Sequence, residues 1–376
     1  MNEGPVLEKL KELSSFSHHK NKALSCRKLD NALIQPCGWS FEENRLTGGV
    51  LDSENNFIDN SGFHEYYHIR APYDSHEVTA RHQVCIYIGC FMPIWGHCFT
   101  DSFAKMWFLK TKECASLLKD GAIIVYLTTD NNPPKQFLVD LFQEAGLNIL
   151  NCEHITKLSR FDSLYIPDNC FYIDKESGNR FFTEEYNTII SDIHTRHAEK
   201  KGSFPAKLYF TRTKYKSGKQ DYGERKIEAI FRESGYTIVA PEDYTVSQQL
   251  DFLAHCDIYA STEGSCSHNA VFCRPEATVI ILKKSEYVNG YQLAINDVRM
   301  LNVKYVDVGK SIYCDKKEPW QGPFFIYPTA KLKSVLGLKT KEKCLLFNMD
   351  WICYIVKYNT FMLIIWKWLR RKILRK

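Results

Sequence analysis

Three short stretches of this 376-residue chain gather side chains able to move a proton or hold an anion. The first is Trp95-Gly96-His97-Cys98-Phe99-Thr100-Asp101. His97 and Asp101 are four residues apart, so a helix puts them on one face, one turn from each other. A histidine and a carboxylate at a strand-to-helix junction can serve as a general base and its orienter. A helix N-cap with a satisfied histidine is the plainer reading. The second stretch, Phe210-Thr211-Arg212-Thr213, ends an apolar run, and its arginine offers a bidentate fork to phosphate or carboxylate. Asp221-Tyr222-Gly223-Glu224-Arg225-Lys226-Ile227-Glu228 follows as a helix start, with acidic residues favoured in its first turn. Surface salt-bridging would account for any single one of these charges. The third runs from Ala260 to Ala270, ASTEGSCSHNA. There a strand gives way to a small-residue turn and a helix beginning at Ser265 to Ser267, where backbone N–H groups and the helix dipole form an anion site. Glu263 stands at its mouth, and His268 and Asn269 can hydrogen-bond a base, ribose or phosphate. A Ser-capped helix without a ligand is the alternative.

Strands must present these stretches, and the apolar pattern supplies them. Residues 84–88 and 122–127 read as buried strands, 103–118 and 135–145 as helices, and 148–152 as a further strand. Residues 186–200 form a long polar helix ending in the loop Lys201-Gly202-Ser203-Phe204-Pro205. The rhythm then restarts, with strands at 207–211, 237–240, 257–260 and 278–282 and helices at 224–233, 247–256 and from 267. Two successive α/β units meeting near residue 200 predict two Rossmann-like lobes facing a cleft, with ligands at the carboxyl ends of parallel strands. Residues 30–80, rich in Asn, Asp, Gly and His, lack the rhythm and read as an irregular cap or a β-rich preamble. Leu7, Leu10 and Leu13 predict a short surface helix before them.

Composition narrows the function. At 44% hydrophobic and 25% charged, the chain is globular and not a low-complexity sequence. The formal charge of +5 is matched by five basic residues between Arg370 and Lys376, so the basicity is local, not the spread stripe of a nucleic-acid binder. Trp351, Trp366 and Trp368 lie beside lysines and arginines in a stretch broken by Lys357 and Asn359, which reads first as a helix lying in an anionic membrane surface, with a helix docked on the protein core and a true span as the alternatives. The N-terminus has no signal-peptide pattern, and the 14 cysteines form no C-x-x-C pair, as in a cytoplasmic protein with reduced thiols. No G-x-G-x-x-G follows a strand, and there is no P-loop, H-E-x-x-H or G-x-S-x-G. D-x-D is also absent, so a nucleotide diphosphate would be neutralised by basic side chains and helix dipoles without a metal.

In order, strand-TRT, then GERKIE, then PEDYTVSQQLDFLAHCDIYASTEGSCSHNAVF resemble the capsular-polysaccharide-biosynthesis branch of glycosyltransferase family 61. That branch carries the pattern S-R, N/G-E, P-E, Q, G-x-H-G-A-x-x-x-N. The resemblance is good over residues 207–283 and fair at WGHCFTD, and it does not extend to residues 1–60 or to the tail. It implies a two-lobed GT-B fold and inverting chemistry with no cofactor and no metal. By this resemblance Arg212 contacts the donor diphosphate, Glu224 holds the acidic position beside Lys226, and Gln249 follows the P-E element. Gly264, Ser265 and Asn269 fall on the phosphate loop with Ser267 and His268. Two positions depart from the pattern: Glu263 stands where many members have histidine, and His268 where a smaller residue is usual.

The expected organisation is an N-terminal helix and irregular cap (1–80), an acceptor-side lobe (81–200), a donor-side lobe (201–335) and a basic aromatic amphipathic tail (345–376). The expected activity is metal-independent, inverting transfer from a nucleotide-sugar to a growing capsular or surface polysaccharide or a lipid-linked glycan, at the inner face of the cell membrane. Asp101 or His97 serves as base, with Glu263 in reserve. A non-catalytic scaffold of a polysaccharide assembly complex is the alternative, and a metal-dependent sugar phosphotransferase a third.

Overall fold

Residues 85–91 of this chain, Cys-Ile-Tyr-Ile-Gly-Cys-Phe, are all buried, the mark of a strand covered on both faces. They close β4 (Thr79–Phe91) in a computed structural model that describes residues 16–63, 68–215, 221–313, 322–339 and 348–359. The described residues divide into two units, one drawn from residues 16–200 and 290–299, the other from 201–289 and 300–359.

The N-terminal unit is built on a seven-stranded mixed sheet. Its other strands are β1 (Cys26–Ser40), β2 (Arg45–Leu51), β3 (His68–Ile69), β5 (Ile123–Thr128), β6 (Glu153–His154) and β7 (Ser159–Pro167), in the order β3-β2-β1-β7-β4-β5-β6. The half β7-β4-β5-β6 is parallel, whereas β1 runs antiparallel to both β7 and β2. Of the two readings of residues 30–80, the irregular cap and the β-rich preamble, the second holds: much of the segment is sheet, with Leu33, Ile34, Val50 and Leu51 in the core. A register shift between Gln35 and Gly38 breaks the period-two pattern that would have disclosed β1. The strand pair β8 (Phe171–Ile173) and β9 (Arg180–Phe182) completes the β structure of this unit.

Around the sheet lie α1 (Trp95–Thr100), α2 (Lys112–Lys119), α3 (Gln136–Glu144) and α4 (Glu184–Ala198). The single helix expected over 103–118 is split. Residues 106–110 form a 3-10 turn, and α2 starts afresh where Thr111 accepts a hydrogen bond from Cys114 N. Likewise Asn148 caps a 3-10 turn at 149–151 in place of the expected strand, and only Glu153 and His154 pair with β5.

The C-terminal unit carries a five-stranded, fully parallel sheet of β10 (Lys207–Phe210), β11 (Thr237–Val239), β12 (Ile258–Thr262), β13 (Thr278–Lys283) and β14 (Asn302–Asp307). Its order β11-β10-β12-β13-β14 reverses direction between β10 and β12, and there the carboxyl ends of neighbouring strands open a crevice. Helices α5 (Glu224–Glu233), α6 (Val246–His255) and α7 (Ser265–His268) connect successive strands. Ile227 and Phe231, one turn apart on α5, pack with Tyr209, Ala260 and Ile280 of the sheet. The link from β13 to β14 contributes α8 (Gly290–Val298) to the N-terminal unit, although it was expected in the donor-side lobe. Tyr291 stacks on Phe171 there, and the Arg180 guanidinium lies 4.8 Å from the centre of the Tyr291 ring.

After the short α9 (Ala330–Val335), the described part of the tail forms α10 (Met349–Tyr358). Its Tyr354 is fully buried, packs on Phe325 and accepts from the Ile312 and Tyr313 N–H groups. The beginning of the tail, Met349–Tyr358, is thus docked on the C-terminal unit, as the docked-helix reading predicts, because one aromatic face finds protein partners. The expected N-terminal helix at residues 7–13 and the tail beyond residue 359 lie outside the described residues.

Candidate active site

In the N-terminal unit, β4 ends at Phe91 and α1 begins four residues later, so His97 and Asp101 occupy one turn at a strand's carboxyl end. His97 Nδ1 lies 2.8 Å from Asp101 Oδ2, which also accepts from the Thr100 hydroxyl at 2.8 Å. The other oxygen, Oδ1, accepts from the Tyr291 hydroxyl at 2.9 Å. Both carboxylate oxygens are therefore engaged. A carboxylate can only accept, so Nδ1 carries the imidazole proton and Nε2 the lone pair. Phe63 and Tyr291 meet the His97 ring edge-on at 5.0 and 5.3 Å between centroids, fixing its plane. Burial, and then the Asp101 charge, push the Tyr291 phenol well above its ordinary range, which keeps it a donor. Beside Asp101 lies a pocket whose lining includes Gly89, Cys90, Lys105, Asn169 and Tyr172.

In the C-terminal unit, Arg212 follows β10 at the reversal point of the sheet. Glu224 and Glu228, one turn apart on α5, brace this strand end. Glu224 Oε1 accepts from Arg212 N at 2.8 Å and from the Tyr209 hydroxyl at 3.1 Å. Glu228 Oε1 accepts from the Thr211 and Thr213 hydroxyls at 2.5 and 2.6 Å. Just before the helix, Gly223 has φ 93° and passes so close to the segment at 325–326 that a Cβ there would fall 2.1 Å from Ile326 O. Burial, and then the Asp221 charge, raise the Glu224 carboxyl to about 7 against the opposing Arg212 N–H. The Arg212 guanidinium lies over the Tyr215 ring at 5.1 Å and makes no ion pair with a described residue.

The turn after β12 faces the same strand ends. Ser267 closes it through a bond from Gly264 N to its Oγ at 3.2 Å and one from its own Oγ to Gly264 O at 2.9 Å. Cys266 lies close to Arg212, whose charge opposes the burial that lifts this thiol to about 11. Asn269 donates to Cys266 O at 2.9 Å, and His268 Nε2 is 3.1 Å from the Asn289 amide. Ser265 stands at the first position of α7. This helix has only four residues, so the anion site expected here rests on individual first-turn N–H groups and not on a long dipole.

Four expected site residues take other places. Glu263 is buried in an ion pair with Lys283, so it is not a free base. Gln249 donates to Pro241 O and Tyr244 O at 2.9 and 3.1 Å and pins that turn. Glu224 is a brace beneath Arg212, with its carboxylate turned to protein donors. Lys226 pairs with Asp350 at 2.8 Å and thereby holds α10, away from the strand ends.

A family model, glycosyltransferase 61, matches residues 95–281. Over that span the chain belongs to the glycosyltransferase 61 family. No curated protein matches the chain significantly. The matched span of this glycosyltransferase 61 chain takes in every site residue expected from the sequence, from His97 to Asn269. Membership gives glycosyl transfer as the activity, and with it a nucleotide-sugar donor and a glycan acceptor. Sequence reasoning missed Tyr291, Lys283 and Lys284, all beyond the match. Lys284 pairs with Asp221 at 3.0 Å, and both side chains are 7% exposed. Two lysines closing the buried strand TVIIL are a detectable signal, since charge at that point belongs to the strand-end crevice. Tyr291 had no such signal, because its partner Asp101 is 190 residues away.

Proposed function

We propose that this glycosyltransferase is inverting and metal-independent, with His97 as its base. The carrying observation is the Asp101 carboxylate 2.8 Å from His97 Nδ1, which puts the ring's proton on Nδ1 and its basic lone pair on Nε2. In the single displacement, the acceptor hydroxyl gives its proton to Nε2 while its oxygen bonds to the anomeric carbon. The bond from that carbon to the diphosphate breaks, and the electron pair leaves with the phosphate oxygen. Arg212 and the N–H groups of Ser265 and Cys266, at the start of α7, receive the developing charge. Asp101, Thr100 and Tyr291 act as positioning residues. In this reading the N-terminal unit is the acceptor lobe, and the C-terminal unit the donor lobe, of a GT-B enzyme.

The acceptor is a growing capsular or surface polysaccharide or a lipid-linked glycan, handled at the cytoplasmic face of the membrane. The basic aromatic end of the chain supports this location through its attraction to anionic headgroups. No helix among the described residues is long and apolar enough to cross a membrane.

Transfer assayed with a panel of nucleotide-sugars should persist in excess EDTA and yield a product of inverted anomeric configuration by NMR. Loss of transfer in EDTA that added Mg²⁺ or Mn²⁺ restores and Zn²⁺ does not would overturn metal independence of the transfer step, and a retained configuration would overturn the single displacement. Thermal stabilisation by no nucleoside diphosphate at saturation would favour the scaffold reading.

A further inference from the structure

The N-terminal unit holds a second cluster of reactive side chains that the transfer chemistry leaves unused. Cys37 on β1, His68 on β3 and Cys90 on β4 are all buried, and one ligand atom from each lies within 4.8 Å of the other two. The two sulfurs are 3.3 Å apart. His68 Nδ1 sits 3.0 Å from Gly48 O, and since a carbonyl only accepts, Nδ1 holds the proton and Nε2 the lone pair. A histidine whose second nitrogen is tied to a backbone carbonyl is oriented as metal ligands are.

The backbone around the cluster has no slack. A Cβ on Gly62 would fall 2.7 Å from His68 Cγ, and one on Gly48, which has φ +95°, would fall 2.3 Å from Pro36 O. The Asn131 side chain holds Cys37 at both its N–H and its C=O. Cys90 also lines the pocket beside Asp101, so the cluster lies behind one wall of that pocket.

We propose that Cys37, His68 and Cys90 bind one zinc-class cation, which fastens the extension formed by β1, β2 and β3 to the parallel strand β4. Two thiolates and a neutral imidazole bring a divalent ion to zero net charge, which a buried site tolerates. Each ligating thiol gives up its proton on binding, so uptake releases two protons. Tetrahedral zinc with Zn–S bonds of about 2.3 Å sets two sulfurs about 3.8 Å apart, an opening of about 0.5 Å from the observed contact. A disulfide would need a closure of about 1.2 Å and would give His68 no role. Three protein ligands leave a fourth position for water or a backbone oxygen. The role is structural, and the site is separate from donor and acceptor chemistry.

The test uses the full chain, reduced and then offered Zn²⁺ or Co²⁺. The expected result is one equivalent of metal per chain by mass spectrometry, with thiolate-to-metal charge-transfer absorption in the cobalt form. Affinity should fall more than about 100-fold in Cys37→Ser and His68→Gln, since losing a ligand exceeds the 10–100-fold cost of losing an outer-shell partner. Cys114→Ser, which alters a buried thiol outside the cluster, should retain the metal. If a ligand variant does not fold, X-ray absorption on the zinc-loaded wild type should read a mixed sulfur and nitrogen shell. The proposal is overturned by no uptake in the reduced wild type, by metal retained equally in all variants, by a shell without sulfur, or by a Cys37–Cys90 disulfide as the purified state.

Discussion

The strand ends of the two units use carboxylates in opposite ways. After β4, Asp101 has both oxygens facing hydrogen-bond donors, and its product is an oriented imidazole nitrogen. After β10, Glu224 and Glu228 accept hydrogen bonds from residues 211–213, and their product is a fixed strand end at Arg212. One region places an acid–base group, the other a cation. The difference shows that an acidic residue in a motif can mark a brace as readily as a catalytic group, and that its partners decide which it is.

The sharpest way to break this contrast is His97→Ala. If Asp101 serves only through His97, turnover should fall about 10²–10⁴-fold, while nucleoside diphosphate affinity measured by calorimetry stays at the wild-type value. Near-normal turnover would remove His97 as the base. Arg212→Ala comes next and should weaken donor binding about 10–100-fold, the loss of a charge-assisted contact worth ~1.5–3 kcal/mol. Wild-type donor affinity in that variant would detach Arg212 from the diphosphate.

A smaller effect probes the brace. Folding raises the Glu224 carboxyl from 4.5 to about 7, so the folded state holds its proton more tightly than the unfolded chain. Its contribution to stability is therefore complete below pH 4.5 and declines as pH rises through about 7. Denaturant unfolding across that window should show the decline, and Glu224→Gln should flatten it. An unchanged slope in the variant would assign the pH dependence elsewhere. Lys226→Ala should have the least effect, with unaltered donor affinity and a loss of stability below about 1 kcal/mol, as for an exposed pair. A drop in donor affinity would return Lys226 to the site.

Legibility in the sequence followed how local the controlling interactions are. Helix α5 was predicted with its observed bounds, because its apolar face repeats every three to four residues and Gly223 marks its start. The His97–Asp101 pair was visible because four residues make one helical turn. Strand β1 was hidden by its bulge, and the break before α2 by a cap at Thr111 inside an apolar run. Glu263 looked like a base because nothing near it in sequence discloses the pairing with Lys283 across the neighbouring strand.

By itself the sequence determined the parallel strand–helix rhythm of residues 207–283, the His–Asp spacing, and the family resemblance carried by TRT, GERKIE and the ASTEGSCSHNA turn. Tertiary structure alone decided which of these groups are engaged. Tyr291 comes to Asp101 across 190 residues, and Cys37 comes to Cys90 across 53, with no C-x-x-C spacing to announce it. The physical reason is that a helix repeat or a strand pattern is fixed by neighbours in the chain. A buried hydrogen bond, an ion pair or a cluster of thiols is fixed by which strands lie side by side, and that order is set only when the whole sheet forms.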